Sequence, residues 1–86
     1  MITHVAIIFD GKTYSLPKPN RHHHVIRHIL ETNSHVDHIS GDRQGFLDDK
    51  GTFLNRREAL AHALECEQVK DPTAIRAGRL FSEDVW

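Results

Sequence analysis

The chain has 86 residues, a net charge of −1 with histidine neutral, eight histidines and one cysteine. That length allows one domain near the lower limit for a self-sufficient core, so association of copies into a homo-oligomer is expected. Near-neutral charge excludes a protein that coats long nucleic acid through many phosphate contacts, and the single Cys66 excludes an intramolecular disulfide.

In chain order, Thr3 to Asp10 is a β-branched apolar run that meets Asp10-Gly11 and resumes as Lys12 to Leu16. Aspartate-glycine between two such runs predicts a tight hairpin, because both turn positions tolerate positive φ. Pro17-Lys18-Pro19 stops the second strand and leads into Asn20, read as the N-cap of a helix from Arg21 to about Thr32. Within it, His22, Val25, Ile26, Ile29 and Leu30 follow the i, i+3, i+4, i+7, i+8 spacing of a buried face. His23, Arg27 and Glu31 share another stripe, with His24 and His28 beside it one turn apart.

Asn33 to Gln44 is polar and reads as a loop. Gly45-Phe46-Leu47 and Thr52-Phe53-Leu54 flank Asp48-Asp49-Lys50-Gly51 and predict a second hairpin, with Gly51 in the left-handed position. Asn55 then caps a second helix, and Glu58 completes a capping box. Ala59, Leu60, Ala63, Leu64 and Cys66 give that helix an apolar face that ends near Glu67 or Gln68. Arg79 to Trp86 closes on large apolar residues, which predicts docking rather than fraying, with Ser82-Glu83-Asp84 capping a last helical turn. The expected fold is one α+β domain over residues 1–86, with two β-hairpins forming an antiparallel sheet and two helices packed on one face.

Function is sought where the pattern breaks a local rule. Asn20-Arg21 and Asn55-Arg56-Arg57 put cations on first helical turns, which carry the positive end of the helix dipole, at a cost of a few tenths to about 1 kcal/mol each. An anion held there would offset the cost. The competing reading folds these arginines back onto Asp48, Asp49 or Glu58. In the first reading Arg21, Arg27, Arg56 and Arg57 hold phosphate, His23 and His24 add titratable donors, and Phe46 or Trp86 covers a base. A metal site built from His24, His28, His35 and His38 is disfavoured, because no paired cysteine, HExxH spacing or diagnostic carboxylate accompanies them. No cofactor is expected. Catalysis has no motif behind it, and Cys66 on the apolar helix face reads as an inert thiol, so the sequence leans against an enzyme. No apolar run is long enough for a membrane span and the start lacks a signal peptide's regions, so a cytoplasmic location is expected.

The combination Arg21-His22-His23-His24-Val25-Ile26, Gln44-Gly45-Phe46, Gly51-Thr52-Phe53, Arg57-Glu58-Ala59 and Ser82-Glu83-Asp84-Val85-Trp86 resembles a family of small phage and prophage proteins. Those proteins are similar in an RHH-x-VI helix, a QGF…G-x-F…R-x-EA segment and a closing SED-[LV]-W. The resemblance implies a phage origin, the cytoplasm of an infected bacterium as location, and action against host defence. That action is either sequestration of a nucleotide signal, of cyclic ADP-ribose or cyclic oligonucleotide type, or direct binding of a host defence protein. A histidine-dependent enzyme that degrades the signal is the third reading. The chain departs from the family at Cys66-Glu67-Gln68-Val69, where a small residue and glycine-glutamine are usual, which puts the second helix stop in doubt.

Overall fold

A computed structural model describes residues 1–33, 39 and 43–86. Strands β1 (Ile2–Phe9), β2 (Lys12–Pro17), β3 (Gln44–Asp48) and β4 (Phe53–Asn55) form one antiparallel sheet in the order β2-β1-β3-β4. Helices α1 (His22–Thr32) and α2 (Arg56–Glu65) cover one face, as an α+β domain. Most of the 33–44 loop expected from the sequence lies outside the described residues, as do His35 and His38.

The β1–β2 hairpin turns on Asp10 at φ 51° and Gly11 at φ 74°, the two positive values that a type I′ turn requires. β1 does not alternate cleanly. Ile2, Val5 and Ile7 are all in the core, and a register shift between Ile2 and His4 makes Thr3 an extra residue that restores the phase. In the second hairpin the Asp48 carboxylate accepts from Lys50 N–H and Thr52 N–H, both at 2.9 Å, while Gly51 takes φ 79°. These bonds, that from Thr52 foremost, hold the Asp48 carboxyl below its usual range.

Gly45 is sterically required. A Cβ there would collide with the Leu54 carbonyl oxygen and lie 2.7 Å from Phe53 Cζ. The core joins Val5, Ile7 and Phe46 of the sheet to Val25 and Ile29 of α1 and to Ala59 and Ala63 of α2. Burying an aliphatic side chain of this kind stabilises by roughly 1.5–3 kcal/mol. Ile39, inside the stretch expected to be a polar loop, is buried in the same cluster.

Three local expectations need correction. Asn20 is not the cap of α1; it closes a turn, its amide and side chain both bonding to Pro17 O, and Arg21 occupies the N-cap position. Cys66 and Leu64 are exposed, because α2 presents only the Ala59–Ala63 edge to the sheet and Cys66 lies one residue past the last helical turn. α2 also stops at Glu65, earlier than expected.

Candidate functional site

α1 starts without a side-chain oxygen at its cap. Instead the Arg21 backbone N–H donates to His24 Nδ1 at 2.9 Å. Nδ1 is therefore an acceptor, which leaves His24 a neutral ring with its Nε2–H directed elsewhere. Desolvation first, then the charges of His23, Arg27 and Arg21, lower the His24 pKa, which keeps it in that form. Arg21, His23, His24 and Arg27 are thus one electrostatic group. His23 and Arg27 are exposed and His24 and Arg21 are half-buried.

At α2 the expected capping box is present: Asn55 Oδ1 accepts from Arg57 N–H and Glu58 N–H, and Glu58 Oε1 accepts from Asn55 N–H. These bonds use backbone donors that an anion at this helix start would need. Arg57 is exposed.

The other arginines grip the chain itself. Arg21 Nη2 donates to the Trp86 carbonyl at 2.8 Å, and Arg56 Nη1 donates to the Leu80 carbonyl at 2.8 Å. Arg56 Nη2 donates to Gln44 Oε1, and its guanidinium lies 4.5 Å from the centre of the Phe81 ring. Burial, in part offset by Glu83, holds the Arg56 pKa below the usual guanidinium range. Neither arginine folds back onto Asp48, Asp49 or Glu58; among the described residues Arg21 has the Glu83 carboxylate at 3.9 Å. Both helix starts therefore hold the segment 80–86, which fixes the tail as the sequence predicted. Trp86 seats its indole N–H on Asn20 O at 2.7 Å and its ring edge-on to Phe46. Phe46 is fully buried, so within this arrangement its ring packs the core.

His22 also serves the interior. Its Nε2 lies 2.7 Å from the Gly45 carbonyl and its ring stands at 87° to Phe46. Burial, helped by the Arg56 charge, pushes its pKa down to about 4, so the neutral ring donates to Gly45.

Between β2 and α1 lies a groove of about 380 Å³ lined by Thr13, Tyr14, Ser15, Leu16, Val25 and His28. The Tyr14 and His28 rings meet edge to face across it at 6.3 Å. β2 is an edge strand, so among the described residues the backbone N–H and C=O groups on its outer side have no strand partner. The groove follows from α1 packing over β1 and β2, which strand and helix patterns do not reveal. Arg76 and Arg79 were not among the candidate site residues, and Gln44 entered only through the QGF motif; the one sequence signal for the arginine pair is its spacing around Ala77-Gly78.

Among the described residues, no cluster of three histidine, cysteine or carboxylate side chains is arranged to hold a metal ion, and no helix is long and apolar enough to cross a membrane. Comparison with curated proteins and with solved structures gives no match. A family model described as phage T4 y16D protein matches residues 1–86, the whole length of this sequence, and the chain belongs to that family of small phage proteins.

Proposed function

We propose that this phage protein captures a phosphorylated nucleotide signal without cleaving it and so blunts host defence. The observation that carries the reading is the groove between β2 and α1, whose Tyr14, Leu16 and Val25 walls suit a planar base and whose volume of about 380 Å³ is within the range of small-molecule sites. The outer N–H and C=O groups of β2 supply partners for the base edge. His23, His24 and Arg27 stand on the helix that forms the other wall, where Arg27 offers a forked cation to phosphate and His24 a neutral Nε2–H. Arg57 is exposed at the start of α2, and Arg21, Arg56, Phe46 and Trp86 hold the tail and core. A homo-oligomer would place a neighbouring copy over the groove.

The test is retention followed by recovery. The protein is incubated separately with cyclic ADP-ribose and with a cyclic dinucleotide, freed of excess ligand, heat-denatured, and the released molecule identified by mass spectrometry. Intact ligand is expected, with affinity lowered at least about tenfold, or 1.4 kcal/mol, in Tyr14→Ala and Arg27→Ala. Recovery of a cleaved ligand would make the protein an enzyme, and no retention of either would remove the reading.

Direct binding to a host defence protein is the second reading. It is favoured by the outer face of the sheet, where Ile8, Leu47 and Phe53 are half-exposed and Leu47 and Phe53 are paired neighbours.

A further inference from the structure

Arg76 and Arg79 form an isolated bridge around Ala77 at φ 55° and Gly78 at φ 64°. Arg79 N–H closes the turn on the Arg76 carbonyl at 3.1 Å. Residues paired across such a bridge project their side chains to the same side, and like charges in that relation repel. The turn adds to the repulsion rather than relieving it. The Arg76 guanidinium lies 5.1 Å from the centre of the Phe81 ring, whose other guanidinium neighbour is Arg56 at 4.5 Å. Arg79 is near enough to act on the charge of Arg56 as well, where Glu83 and Asp84 act in the opposite sense from beyond ion-pair distance.

Two guanidiniums, those of Arg56 and Arg76, therefore lie on one aromatic ring, and Arg79 is paired with Arg76 across the turn beside them. Among the described residues none of them has a carboxylate within 4.0 Å; Asp84 caps the Phe81 N–H and Glu83 sits nearest Arg21. Arg56 spends both terminal nitrogens on Leu80 and Gln44. For Arg76 and Arg79, the hydrogen bonds among the described residues engage only the backbone. A guanidinium stacked on a ring uses its face and leaves its in-plane N–H groups available as a fork.

We propose that Arg76 and Arg79, with Arg56 behind them, form a receptor for a phosphoryl group. A phosphoryl dianion offers several oxygens to two forks and neutralises the repulsion that the turn creates. The Phe81 ring is already covered by guanidinium, so the site reads phosphate oxygens and not a base. Inorganic pyrophosphate and the diphosphate end of a nucleotide satisfy it equally. The site shares no residue with the β2–α1 groove and stands whether or not the groove binds a nucleotide.

The full chain is titrated by calorimetry at low ionic strength with inorganic pyrophosphate and, separately, with ADP. Saturable binding of similar affinity is expected for both, falling at least about tenfold in R76Q/R79Q. Tyr14→Ala and Arg27→Ala should leave pyrophosphate binding unchanged, and thermal unfolding of R76Q/R79Q should match the parent. If that variant unfolds early, R79K replaces it, and weakened binding is expected because charge without the fork is insufficient. No saturable pyrophosphate binding, undiminished binding in a folded R76Q/R79Q, or dependence on Arg27 overturns the proposal. In the Tyr14→Ala background, where the groove is impaired, binding of ADP far tighter than pyrophosphate overturns its exclusion of the base.

Discussion

His22 shows how one position in a histidine-rich stretch can differ from its neighbours. The folded protein keeps its ring neutral down to about pH 4, whereas the unfolded chain takes up the proton near the ordinary value of 6.5. Between those values the unfolded state binds more protons, so stability is complete above pH 6.5 and is lost as pH falls toward 4. The loss should reach about 2 kcal/mol by pH 5. Unfolding free energies from urea titrations at pH 7 and 5 should differ by that amount, and His22→Gln, which keeps an N–H for Gly45, should shrink the difference. An unchanged difference would locate the acid sensitivity elsewhere. The helical spacing had placed His22 on the apolar stripe. Its hydrogen bond to Gly45 depends on β3, which arrives 23 residues later in the chain.

Among the elements, the end of α2 resolves the one stretch where the sequence departs from the family it resembles. Glu67 takes φ 56°, its N–H bonds to Leu64 O at 3.2 Å, and Gln68 N–H bonds to Ala63 O at 2.8 Å. That pair of bonds is a Schellman motif with glutamate where glycine is favoured. The motif aims Gln68 at β1, whose Ile2 N–H and C=O it holds at 2.8 and 2.7 Å, as another strand would. Glu67→Gly removes the Cβ penalty of the left-handed conformation and should stabilise by about 1 kcal/mol, offset in part by the freedom glycine adds to the unfolded chain. A rise of a few degrees in Tm is the expected reading; a fall would show that the glutamate side chain itself stabilises the stop. Both hairpins and the Asn55 capping box were legible in the sequence because each depends on residues within a few positions. The start of α1 was not, since a histidine accepting from an arginine N–H replaces the usual polar cap there.

Across the whole molecule, segment 80–86 connects the two helix starts. Leu80 and Val85 enter the core, while Arg56 and Arg21 hold the carbonyls of Leu80 and Trp86. Losing one such charge-assisted bond costs about 1.5–3 kcal/mol. Arg21→Ala should therefore speed native-state hydrogen exchange in residues 82–86 while β1 amides stay protected. Uniform acceleration would instead mean that the tail opens only with global unfolding. Arginine at the helix starts pointed, in the sequence, to a bound anion or to nearby carboxylates, whereas the acceptors found at Arg21 and Arg56 are backbone and amide oxygens of the chain itself. Phe46, Arg56 and Trp86 likewise acquire their surroundings only when distant segments meet. Local rules determined the two hairpins, the amphipathic face of α1 and the cap of α2, because turn geometry, side-chain periodicity and capping act over a few residues. Only the tertiary structure decided which arginines remain open to solvent, that β2 and α1 enclose a groove, and that Arg56 meets Arg76 over Phe81, because each depends on packing between segments far apart in the chain.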